Sequence, residues 1–139
     1  MFKKLAFNYS VYMEMLSSCS IEVAADNYIL TVKSKIGPSD EKIEKLSPEK
    51  SREISEEISK LGLQTWHEEY SPEYYCVEDG YEWEVVLEEK EGKNIRKTES
   101  RGFNAFPWCF YMLIRVLIKA VPEAKEILEE YAEEVECFY

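Results

Sequence analysis

The sequence predicts an α+β domain, an antiparallel sheet of four to six strands built from two hairpins with helices packed on it, and three observations predict it. Two stretches, 19–35 and 81–96, alternate apolar and polar residues around a turn signal, as half-buried hairpins do. Three further stretches, at about 47–61, 107–120 and 123–136, place apolar residues at helical spacing. At 139 residues the chain is long enough for one sizeable core and too short for two, so 1–139 reads as a single domain.

Taken in order, Lys4 to Tyr12 alternates loosely through Leu5, Phe7, Tyr9 and Val11 and adds a strand beside the first hairpin. In that hairpin Ile21 and Val23, then Tyr28, Leu30 and Val32, alternate with polar or small neighbours. Asp26-Asn27 supplies the turn, which sets Val23 opposite Leu30 and Ile21 opposite Val32. Gly37-Pro38-Ser39-Asp40 ends this unit. Ser47-Pro48 then caps and opens a helix to about Leu61, with Leu46, Ile54, Ile58 and Leu61 as its apolar stripe and Gly62 as its left-handed stop.

Leu63 to Tyr70 reads as a short strand, followed by a tyrosine-rich loop to Asp79-Gly80. In the second hairpin Tyr81, Trp83, Val85 and Leu87 face one way, and Glu82, Glu84 and Glu88 the other. A three-residue loop, Lys90-Glu91-Gly92, pairs Leu87 with Ile95 and Val86 with Arg96. Pro107 then starts an apolar helix to about Ala120, the central one of the fold. Pro122 breaks the chain before a last helix carrying Ala124, Ile127, Leu128, Tyr131 and Val135.

The net charge of −11 implies a surface that repels phosphate backbones and anionic membranes, so direct nucleic-acid backbone binding and membrane binding are not expected. The apolar stretch 103–121 is broken by Asn104, Pro107, Arg115 and Lys119, well short of the ~20 residues that a membrane span needs. The amino terminus lacks the long apolar run of a signal peptide, which together with four widely separated cysteines (Cys19, Cys76, Cys109 and Cys137) reads as a cytoplasmic protein with free thiols.

No residue set reads as catalytic or metal-binding. His67 is the only histidine, so neither a multi-histidine metal site nor a triad with its own motif is available, and a strand or surface role is the simpler reading. Five scattered glycines make no phosphate-cradling loop, and no cofactor is implied. Lys93, Arg96, Lys97 and Arg101 form the one basic run, with Glu82, Glu84 and Glu88 on the partner strand to neutralise it. The surplus is aromatic. Trp66, His67, Tyr70, Tyr74, Tyr75 and Tyr81 crowd one loop, and aromatic rings with a polar tip are enriched where proteins bind proteins.

The stretch Asp79-Gly80-Tyr81-Glu82-Trp83, a turn at Gly92, then Gly102-Phe103-Asn104-Ala105-Phe106-Pro107 resembles small uncharacterised bacterial domains. Those domains carry an Asp-Gly-x-x-Trp strand and a Gly-x-Asn-Ala-x-Pro loop. The likeness covers about half the chain and implies no assigned function, so no functional residues carry over. In element order alone the chain is also similar to emfourin-type protease inhibitors. Read from its own residues the motif is structural: Asp79-Gly80 turns, Trp83 enters the core, and Pro107 starts a helix.

These readings favour a non-catalytic module that binds another protein, or itself, as an inhibitor, immunity or adaptor protein would. One alternative is an enzyme or small-ligand receptor with a site near the 66–79 loop; a second is an acidic nucleic-acid mimic that starts from Glu82, Glu84 and Glu88.

Overall fold

The computed structural model describes residues 2–11, 14–70, 81–103, 105–107 and 109–129. Its strands are β1 (Phe2–Val11), β2 (Glu14–Asp26), β3 (Ile29–Ile36), β4 (Lys42–Lys45), β5 (Glu69–Tyr70), β6 (Tyr81–Glu91) and β7 (Asn94–Phe103). Helix α1 spans Pro48–Lys60 and α2 spans Phe110–Ala120. Three-residue 3-10 turns lie at Leu63–Thr65 and Pro122–Ala124, and residues 125–129 are helical. The rest of the expected helix to 136 lies outside the described residues.

The fold is α+β, with a larger and more mixed sheet than expected. Seven strands run in the order β4-β3-β2-β1-β6-β7-β5. All neighbours are antiparallel except β5, which lies parallel to β7. The segment 63–70, expected as one strand, is a 3-10 turn followed by the two-residue β5, because left-handed Gly62 (φ 64°) delivers Leu63 into the core and only Glu69 and Tyr70 reach the sheet.

Both hairpins form, with turns displaced from their expected positions. In the first, Asn27 takes the positive φ (58°), and the turn is Asn27-Tyr28. Val23 therefore faces Val32, and Ala25 faces Leu30. This slip moves the partner by two residues, so the inward face is kept. In the second, Gly92-Lys93 makes a two-residue turn with Gly92 at φ 63°, pairing Leu87 with Thr98 and Val86 with Glu99. Ile95 is left opposite Lys90, 52% exposed.

One hydrophobic cluster lies between the sheet and the helices. Leu5, Phe7 and Tyr9 of β1, Ile21 and Val23 of β2, and Trp83, Val85 and Leu87 of β6 point into it, each at alternate positions as the pattern demands. Helix α1 is fixed at its start by Ser47, whose Oγ accepts the Lys50 N–H at 3.2 Å. The buried Ser51 Oγ accepts the Leu30 N–H at 3.0 Å, just before the β4 ladder begins at Thr31. Helix α2 opens at Phe110, three residues later than expected; Pro107 forms the turn before it, its carbonyl accepting the Phe110 N–H. Phe110, Leu113, Ile114 and Leu117 are all buried, and no helix among the described residues is long and apolar enough to cross a membrane.

Cys19 and Cys109 are buried free thiols; Cys76 and Cys137 lie outside the described residues. Burial pushes the Cys19 thiol up to about 12, from an ordinary value of 9.0. The unfolded thiol ionises first, so this group's contribution is complete below pH 9.0 and is lost as pH rises toward 12. Stability measured by urea unfolding is expected to fall more steeply between those values in the parent than in Cys19→Ala; equal slopes would contradict it.

Candidate functional site

The helices cover one face of the sheet, and the other carries the outward half of each alternation. Cross-strand register aligns that half into rows. One row runs Glu69, Arg101, Glu84, Asn8, Ser20, Lys35, crossing β5, β7, β6, β1, β2 and β3 in turn. At ~4.8 Å per strand it is about 24 Å long. Phe103, Glu82 and Ser10 form a second row beside it.

These rows line an open concavity of about 740 Å³, with Ser18 and Gly37 at one end and Tyr70 at the other. It reaches only about three residues along each strand, so its long axis lies across the strands. The middle is floored by small polar groups, where Ser20 Oγ–H donates to Asn8 Oδ1 at 2.8 Å.

At one end Arg101 donates to Glu69 Oε1 from both Nε (3.1 Å) and Nη2 (2.7 Å). The bond to Glu69, helped by the fields of Glu68 and Glu84, holds the guanidinium above its ordinary value. Both side chains are more than 60% exposed (62% and 66%), so the pair orients β5 more than it stabilises it. The expected neutralisation of the β7 basic run by Glu82, Glu84 and Glu88 is replaced by other ion pairs: Arg101 with Glu69 of β5, Arg96 with Glu91 at the end of β6, and Lys97 with Glu99 of β7 itself. Among the described residues Glu82, Glu84 and Lys35 take part in no ion pair.

Under the floor is an aromatic cluster built by the Trp83 to Phe106 stretch. Trp83 Nε1–H donates to the Ala105 carbonyl at 2.9 Å, and its ring lies 4.9 Å from Phe110, 5.8 Å from Tyr70 and 6.0 Å from Trp66. Its cross-strand neighbour is Gly102, where a Cβ would stand 2.3 Å from Trp83 Nε1 and 2.6 Å from the Ala105 carbonyl. The missing side chain is what lets the indole lie across β7. Gly102→Ala is expected to destabilise by about 1–3 kcal/mol, the cost of overpacking. In a Trp83→Ala background the part of that cost due to the indole should vanish and the part due to the Ala105 carbonyl should remain; a full, additive cost in the double variant would show that the clash is with the backbone alone.

Neither a family model, nor a curated protein, nor a solved structure matches this chain. The geometry alone therefore locates the aromatic residues singled out in the sequence. Trp66 is buried among Trp83 and Phe110, its Nε1–H donating to Cys109 Sγ at 3.1 Å, so it supports the site from beneath. His67 is exposed and outside the concavity, with its backbone N–H on the Tyr70 hydroxyl at 2.9 Å and its ring 5.6 Å away. Tyr70, half-buried, is the one member of the set that lines the concavity as a described side chain. Tyr74 and Tyr75 lie outside the described residues, and Tyr81 is placed only by its backbone, opposite Val11. Asn8, Ser10, Ser20 and Lys35 were not singled out. For Asn8, Ser10 and Ser20 the one signal is that β1 and β2 turn small polar residues outward there, whereas Lys35 of β3 carries no such signal.

Proposed function

We propose that the protein is a non-catalytic binding module of inhibitor, immunity or adaptor type, and that the open face of the sheet recognises a partner protein. The observation that carries this reading is the concavity itself: a broad trough of mixed character, with charged and hydrogen-bonding groups set among apolar surface and Tyr70 at its rim, on the face away from the described helices. Charged and hydrogen-bonding groups spread over six strands suit an extended protein surface better than a compact reactive centre. The trough also favours a protein over the nucleic-acid-mimic reading. The line of Glu82, Glu84 and Glu88 is interrupted by Val86, and Glu84 and Glu88 face Arg101 and Lys97 across the strands, which breaks any phosphate-like series.

A second reading, a small-ligand receptor, draws on one number. A volume of about 740 Å³ lies inside the range, roughly 300–1,000 Å³, of small-molecule sites. Affinity purification from the native host, run in parallel with the parent and with Glu84→Arg, separates the readings. Glu84 is exposed, so the variant should stay folded, with a melting temperature lowered only slightly by the like charge set opposite Arg101. A stoichiometric partner held by the parent and lost from Glu84→Arg supports a binding module that works through this face. Equal recovery from both overturns it.

A further inference from the structure

Resting on that reading and deepening it, we infer that the trough takes an extended segment of the partner laid across the strands, with a basic side chain over Glu82 and Glu84 and an acidic one four residues away over Lys35. Shape sets the direction: the lining crosses six strands in one row and reaches only about three residues along each. Charge sets the register. Arg101 is engaged by Glu69 and feels Glu84 only through its field, whereas Glu82, Glu84 and Lys35 have no ion-pair partner among the described residues. Phe103, opposite Glu82, adds an aromatic ring beside the two carboxylates, a setting that suits a guanidinium or ammonium group.

The separation of the two charged zones matches one periodicity. From β6 to β3 there are three strand spacings, about 14 Å. An extended chain advances ~3.4 Å per residue and turns alternate side chains to one side, so residues i and i+4 project the same way about 14 Å apart. Between the two zones Asn8 and Ser20 offer hydrogen-bonding groups to the segment's backbone.

The test uses the capped heptapeptide GRTVTEG, its Arg and Glu at i and i+4, titrated at millimolar concentration into the ¹⁵N-labelled protein. A control peptide of the same composition, GTRVETG, has them at i and i+2. The expected result is amide shifts confined to residues 8–10, 18–20, 35, 82–84 and 101–103. Affinity should fall about fivefold or more in Glu82→Gln/Glu84→Gln, in Lys35→Gln, and for the control peptide, as loss of a matched charge pair would produce. No shifts, shifts elsewhere, or equal binding by both peptides overturns the inference. If the purification with Glu84→Arg still loses its partner while GRTVTEG fails, only the segment and its spacing fall, and the face stands as the recognition surface.

Discussion

Trp83→Ala is expected to lower stability by about 3–5 kcal/mol, the cost of removing a large buried ring. In a chain of this size that corresponds to a drop in melting temperature of roughly 10–20 °C. Trp83 is 2% exposed and is the hub of the aromatic cluster, touching Trp66, Tyr70, Phe106 and Phe110. Its indole N–H also closes the turn after β7 through the Ala105 carbonyl. Truncation would leave a cavity under the trough and an unmet carbonyl in the loop that leads to α2. A partner-facing anchor would behave otherwise, losing binding at unchanged melting temperature. An unchanged melting temperature would therefore sink the structural assignment of the Asp79 to Trp83 motif.

Leu117→Ala should cost about 2–5 kcal/mol, read as a lower urea midpoint at unchanged slope, and Leu113→Ala should fall in the same range. Both side chains are 0% exposed, on a helix whose only strongly outward positions are Met112, Arg115 and Lys119. Lys119 reaches Glu53 and Glu57 of α1, an exposed contact that orients the two helices side by side. Near-neutral results at both positions would mean that α2 is misplaced.

How much of this could be read from the sequence depends on how many faces of each element are buried. Strands β1, β2, β3 and β6 each bury one face, and their inward residues were legible from alternation alone. Alternation fixes which residues point inward and leaves the partner open by steps of two, which is why the first turn slipped to Asn27-Tyr28 with no change of face. Tyr28, expected on a strand, sits on that turn, 80% exposed. In β7 only Ser100 and Gly102 are buried, so no apolar pattern specified its register, and the second hairpin paired differently from its expected three-residue loop. The two residues of β5 are too few to show any period. The trough was the least legible part. Asn8, Ser20, Lys35, Glu84 and Arg101 come from five strands and meet only because β6 lies beside β1, a neighbour relation that no local pattern encodes.

That neighbour relation also governs how the chain must fold. Strands β1 to β4 are joined in sequence by turns and short connections, and β6 and β7 by a two-residue turn, so each group can assemble from contacts close along the chain. The β1–β6 ladder, from Phe2 opposite Glu89 to Val11 opposite Tyr81, is different: it closes a loop of about 70 residues or more, and no contact within either group offsets that entropy in advance. Phe110 of α2 touches Phe7 on one side of this seam and Trp83 on the other, so neither group has a finished core before the seam forms. The middle of the sheet is therefore where the folding barrier is expected, with the two halves gaining and losing their structure together.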